Sequence, residues 1–163
     1  MSTVILNEQQ INQKIRRIAF QVLENNIEEK QIYIAGITGN GYIFAKKLKD
    51  ELEENSQKEI SLCEVNIDKE NPLDNVTTSL NIEELTNQSV VLVDDVLNSG
   101  RTLIYAVRHF LQVPLKKFKT AVLVNRNHKH FPIKSDFKGI SLSTSLEEHV
   151  EISFKDKAEA ILY

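Results

Sequence analysis

The chain has 163 residues, 41% hydrophobic and 26% charged, which suits one domain whose core needs neither disulfides nor a structural metal. Against 23 Asp and Glu stand 20 Lys and Arg, a net charge of −3; that argues against a general polyanion binder, because phosphate-backbone affinity needs clustered cations, but leaves small phosphorylated ligands open. The single cysteine, Cys63, excludes an internal disulfide and is expected to pack in the core of a protein from a reducing compartment. The polar first residues lack a secretory pattern, and no apolar run approaches the ~20 residues of a membrane span, so a cytoplasmic protein with no membrane partner is expected.

Asn7 and Gln10 have the spacing of a capping box, and Ile11, Ile15, Ile18, Ala19, Val22 and Leu23 recur on one face of a predicted helix. Gln31 to Ala35 predicts a short strand ended by Gly36. After the loop Thr38 to Gly41, Phe44, Ala45, Leu48 and Leu52 mark a second helix with a solvated charged face that takes in Glu51, Glu53 and Glu54. Ile60 to Ile67 predicts another strand. Asp68 to Leu85 is polar and holds Pro72, and a loop of that length is often functional or mobile.

Ser89 to Val93 is a continuous apolar run, the mark of a strand covered on both faces. From Gly100 a third helix is predicted, with Leu103, Ala106, Val107, Phe110 and Leu111 on its apolar side. Phe118 to Val124 predicts the next strand and His149 to Phe154 the last. Without repeats or linkers, residues 1–163 read as a single domain. Strands alternating with helices imply an α/β fold with an open, mostly parallel sheet.

In such sheets ligands lie beyond the carboxyl ends of the strands. Asp94 and Asp95 hold that position, followed by Val96, Leu97, Asn98, Ser99, Gly100, Arg101 and Thr102, which lead into the helix. A helix N-terminus offers unpaired N–H groups and a positive dipole end, so an anion is favoured there. Gly100 permits a positive φ, Ser99 and Thr102 add hydroxyls, and Arg101 adds charge. No Lys follows the glycine, which excludes a nucleoside-triphosphate P-loop. Two carboxylates beside an anion cradle are explained by a sugar diol, whose hydroxyls they accept while a 5-phosphate sits one ribose away. A response-regulator receiver also pairs Asp residues after a strand, but its pair belongs near the N-terminus. His128 and His130 flank Lys129 without a further ligand, so a solvated turn is expected there and no metal site.

The segment Val90 to Leu103 resembles the signature by which type I phosphoribosyltransferases bind 5-phosphoribosyl 1-pyrophosphate (PRPP). Nearly the full chain resembles the bifunctional pyrimidine-operon attenuator and uracil phosphoribosyltransferase family, through Ile5 to Gln9, Gly36 to Lys46, Ala121 to His128 and Phe131 to Gly139 in matching order. The resemblance implies a type I phosphoribosyltransferase fold, a mostly parallel twisted sheet flanked by helices with a small hood. It implies a pentosyl transfer from PRPP, carrying Mg²⁺, to a nucleobase, uracil first. Asp94 and Asp95 would serve the ribose hydroxyls and Leu97 to Thr102 the 5-phosphate. Thr38, Gly39, Asn40 and Gly41 would face pyrophosphate, with Pro132, Ile133 and Phe137 toward the base. A homodimer is also implied.

Three departures from the family stand out. Its pyrophosphate loop carries a basic residue where this chain has Thr38, Gly39 and Asn40. Its mobile loop carries Tyr and Arg, whereas Asp68 to Asn81 here has Lys69 as its one cation. On the first helix Phe20 stands for a histidine and Arg16 for a threonine, although Arg17 matches. The first two departures predict slow or absent transfer, or a non-catalytic sensor of PRPP or nucleotide. The third predicts that RNA is not a strong partner.

Overall fold

Nine strands and three α-helices make up the computed structural model, which describes residues 1–163. In chain order they are β1 (Thr3–Leu6), α1 (Glu8–Asn25), β2 (Gln31–Ile37), α2 (Asn40–Glu54), β3 (Glu59–Asn66), β4 (Thr77–Thr78), β5 (Ser89–Leu97), α3 (Arg101–Phe110), β6 (Lys117–Arg126), β7 (Phe137–Leu142), β8 (Val150–Ser153) and β9 (Glu159–Leu162). The main sheet runs β4-β3-β2-β5-β6-β7, parallel throughout except for β4. A small antiparallel sheet, β1-β9-β8, joins the two ends of the chain.

Side chains alternate across a strand, and β5 shows what that does to a sheet covered on both faces. Val91 and Val93 pack with Ile11, Ile18, Phe44 and Leu48 of α1 and α2. Val90 and Leu92 pack with Leu103, Ala106 and Phe110 of α3 on the opposite face, together with Cys63 and Leu85. Asn7 caps α1 through the expected box, its side chain accepting from the Gln10 N–H at 2.9 Å while the Gln10 side chain accepts from the Asn7 N–H. Arg17 donates to the carbonyls of Lys138 (3.1 Å) and Gly139 (2.6 Å), which ties α1 to β7.

Several expectations are revised by pairing that lies far apart in sequence. β5 does not stop at Val93 but continues to Leu97, because β6 keeps pairing with it at Asp94 and Val96; the two carboxylates therefore sit inside the strand's last turn of pleat. The polar stretch 68–85 contains β4 and a 3-10 turn over Ile82–Leu85, with Leu85 buried. β8 is not the last strand, since β9 follows and pairs with both β8 and β1. β1, β7 and β9 were not read: β1 and β9 have four residues each, too few for a period, and β7 is broken by Gly139. Leu111 is 62% exposed, because α3 ends at Phe110 and Leu111 is its C-cap. No helix is long and apolar enough to cross a membrane.

Candidate functional site

A cleft of about 250 Å³ opens where the carboxyl end of β5 meets the start of α3 and the hood strand β8. Asp94 and Asp95 form its floor. The Asp94 Oδ1 accepts the N–H of Asp95 at 2.9 Å, and the Asp95 Oδ1 accepts the N–H of Val96 at 2.8 Å, so the backbone itself holds both carboxylates. Asp94 is only 4% exposed. Burial, and next the charge of Asp95, push its carboxyl up to about 8, while Lys69 opposes the rise only in part. Near neutral pH this favours the protonated form of the Asp94 carboxyl, which can donate to one hydroxyl of a vicinal diol. Gly41 lies against this floor, and a methyl group there would stand 2.9 Å from the Asp94 Oδ1.

The cleft continues into a tight turn. Gly100 adopts φ +87 as the N-cap of α3, a conformation that costs side-chain-bearing residues energy. Behind it the Ser99 carbonyl accepts from the N–H groups of His130 (2.9 Å) and Phe131 (3.1 Å), and Ile133 closes in so far that a methyl on Gly100 would lie 2.5 Å from its Cγ2. The turn is held from outside, leaving the first N–H groups of α3, with Ser99, Arg101 and Thr102, on the cleft side. That arrangement favours a dianion such as a phosphate monoester.

The Thr38 to Gly41 loop divides between two tasks. The Thr38 N–H and hydroxyl both bond the Val65 carbonyl at 2.8 Å, anchoring it to the end of β3. Gly39 takes φ +93 and starts α2. Asn40 lines the cleft and donates through Nδ2 to the Ile152 carbonyl at 2.8 Å, linking α2 to the hood. Lys69 also lines the cleft, its ammonium 3.8 Å from the Asp94 Oδ1. The 68–81 loop therefore does bring a cation to the site.

Residues 1–157 match the phosphoribosyl transferase domain. The chain belongs to the phosphoribosyltransferase family. It is 30% identical to the bifunctional protein PyrR of Leuconostoc mesenteroides over 169 aligned residues, covering 96% of this chain and 97% of that one. It is 31% identical to the bifunctional protein PyrR of Fusobacterium nucleatum (94% and 91% covered) and to the pyrimidine operon regulatory protein of Lactococcus lactis (97% and 94% covered). Among solved structures, the hypoxanthine phosphoribosyltransferase of Trypanosoma cruzi superposes with a TM-score of 0.78 at 14% identity, over 98% of this chain and 95% of that one. A hypoxanthine-guanine phosphoribosyltransferase from Bacillus anthracis gives 0.71 at 18% identity, over 86% and 82%. The fold is that of the type I phosphoribosyltransferases.

The three residues that the resemblance turned toward a base do not line this cleft. Phe137 opens β7 and packs in the core shared with α1 and α2. Pro132 is exposed and outside the cleft, and Ile133 buttresses Gly100 from behind. The wall opposite the Gly100 turn is formed by His149, Val150, Glu151 and Ile152. Chain reversal after β7 folds the last strands back over the site, so residues remote in sequence supply that wall. The sequence predicts a strand at 149–154 but not its partner, and it offers the Arg126 to His130 region as a source of cations without showing that Arg126 braces this wall. Arg126 is 8% exposed and donates to the Asn98 Oδ1 (3.0 Å), the Thr144 Oγ1 (3.0 and 2.9 Å) and the carbonyls of Ser145 (3.3 Å) and Glu148 (2.6 Å). Beside it the Thr144 N–H donates to the Asn127 Oδ1 at 3.2 Å, and His128 bonds the Thr144 carbonyl, so His128 is a structural tie and not a solvated turn.

Proposed function

We propose that the chain binds PRPP or a nucleoside monophosphate in this cleft and transfers the phosphoribosyl group to a nucleobase, with uracil the leading acceptor. One observation carries the reading: a single cleft sets the Asp94–Asp95 pair beside the Gly100 turn and the α3 N-terminus. Asp94 and Asp95 take the ribose hydroxyls, and the backbone of residues 96–102, with the hydroxyls of Ser99 and Thr102, takes the 5-phosphate. The loop of Thr38, Gly39, Asn40 and Gly41 takes pyrophosphate. The likeness to bifunctional PyrR proteins supports uracil as the acceptor.

In the reaction the bond from ribose C1 to pyrophosphate breaks, a ring nitrogen of the base bonds to C1, and the proton on that nitrogen leaves to solvent. Mg²⁺ enters as part of the substrate, held by PRPP oxygens and water. The protein contributes orientation and charge stabilisation. Lys69 and Arg101 line the cleft, but the Thr38 to Gly41 loop carries no cation, and on that ground transfer is expected to be slow. Isothermal titration with PRPP, UMP, GMP and AMP, followed by steady-state UMP formation from uracil and Mg–PRPP, tests the reading. Failure to bind any of these ligands would remove it.

A second reading is a regulator that senses PRPP or nucleotide without catalysing transfer, favoured by the likeness to a pyrimidine operon regulatory protein. On α1, Arg17 is engaged with β7 carbonyls and Arg16 stands over the Phe20 ring, 5.7 Å from its centroid. We therefore expect no tight, salt-sensitive binding of a pyrimidine-operon leader RNA in a gel-shift assay. The same proposal takes residues 1–163 as one domain that acts as a cytoplasmic homodimer.

A further inference from the structure

Arg126 and Asn98 form a pair whose chemistry has only one orientation. A guanidinium has donors and no acceptor, so the atom of Asn98 that meets Arg126 Nη1 at 3.0 Å must be its carbonyl oxygen. The amide is therefore locked, and Nδ2 with its two hydrogens faces away from Arg126. Asn98 is exposed, lines the cleft, and makes no other side-chain hydrogen bond in the protein. A fixed donor with no protein partner stands at the cleft wall. The same guanidinium grips Thr144, Ser145 and Glu148, the segment that runs directly into the wall His149 to Ile152. Arg126 thus sets the distance between the Asn98 donor and the wall opposite the phosphate turn.

Resting on the reading of the cleft as a ribose 5-phosphate site, we propose that Asn98 Nδ2 is a specificity determinant that donates to a carbonyl oxygen of the nucleobase, and that Arg126 is its positioning residue. A phosphate oxygen is the other acceptor of the same chemistry. The base is favoured because the phosphate turn already has the α3 N–H groups and the hydroxyls of Ser99 and Thr102, whereas Asn98 precedes that turn and is tied to the hood side. A donor held in place rejects a ligand that presents another donor, since both would be left unpaired.

The test is equilibrium titration of UMP, CMP and ribose 5-phosphate against the wild type, Asn98→Ala, Asn98→Asp and Arg126→Lys. Asn98 is on the surface, so its variants should fold. UMP affinity should fall about ten-fold in Asn98→Ala and further in Asn98→Asp, which presents acceptors only, while ribose 5-phosphate stays within about two-fold. CMP keeps the 2-oxo group but carries an amino group at C4: a parallel loss for CMP assigns the 2-oxo group, and a loss confined to UMP assigns the 4-oxo group. Arg126→Lys should reproduce the base-dependent loss in part, again sparing ribose 5-phosphate, which a general loosening of the fold would not do. An equal loss for UMP and ribose 5-phosphate would overturn the inference by putting Asn98 on the phosphate. Unchanged UMP affinity in both Asn98 variants would also overturn it. A wild type that binds none of the three would remove the cleft reading together with this inference.

Discussion

Lys69 and Asp94 meet across the cleft, the ammonium 3.8 Å from the carboxyl oxygen, with the lysine half exposed and the aspartate buried. A loop of that length could have left the one cation of residues 68–81 in solvent; it is instead directed into the cleft, beside Asp94.

A cation in that position can oppose charge that develops on a departing pyrophosphate without adding to the affinity for a product that lacks it. Steady-state UMP formation by the wild type is expected below the ordinary enzyme median of about 10 s⁻¹. Lys69→Ala should lower kcat by about 10²-fold while UMP affinity changes less than about two-fold. Equal losses in kcat and UMP affinity would place Lys69 on the ground-state ligand.

Asp94 also sets how stability varies with pH. Its carboxyl is raised from 3.8 to about 8 by burial and by Asp95, so between those values the folded chain holds a proton that the unfolded chain has lost. Raising pH through this window therefore favours unfolding, and the effect levels off above the folded value. Lys69 and Asp95 face the group directly, with His149 and Glu151 in the same cleft. Urea midpoints measured from pH 5 to 9 should fall toward pH 8 in the free protein. Asp94→Asn should flatten that slope.

The double variant Asp94→Asn with Asp95→Asn keeps the side-chain oxygens that accept the N–H groups of Asp95 and Val96, so the strand end should be retained. What changes is the carboxyl pair that faces the ribose hydroxyls, since each variant side chain keeps one oxygen and puts an amide NH2 in place of the other. PRPP and UMP affinity should drop about 10- to 100-fold with an unchanged circular dichroism spectrum.

Two glycines should respond differently to alanine. Gly41→Ala sets a methyl 2.9 Å from the Asp94 Oδ1 and 3.2 Å from the Asp94 Cα and the Val93 carbonyl oxygen, so it should displace that carboxyl and weaken ribose binding about ten-fold, with a smaller fall in melting temperature than at Gly100, where the backbone is also left-handed. Gly100→Ala meets Ile133 at 2.5 Å and forces alanine into φ +87, so it should lower stability by about 1–3 kcal/mol as well as affinity. Thermal melts beside titrations separate the two.

Local chemistry made the strand-end and turn side of the cleft readable from the chain alone. A run of valines and leucines, two aspartates, a glycine and a helix start are contiguous, and each acts through its own backbone, so Asp94 to Thr102 needs no distant partner to be recognised. The same holds for the Asn7 cap and the apolar face of α1, where spacing is the physics. The rest depends on which segments meet. The four-residue strands β1 and β9 exist because each pairs with the other across nearly the whole chain, and neither carries a period of its own. Phe137 looks the same in sequence whether it faces a base or a core; packing against α1 and α2 assigned it to the core. Lys69 became part of the site, and Arg126 the brace for Asn98 and the hood, only when the sheet brought partners 25 and 28 residues away within bonding reach. A buried charge is stable only where its partners converge, and that convergence is a property of the fold.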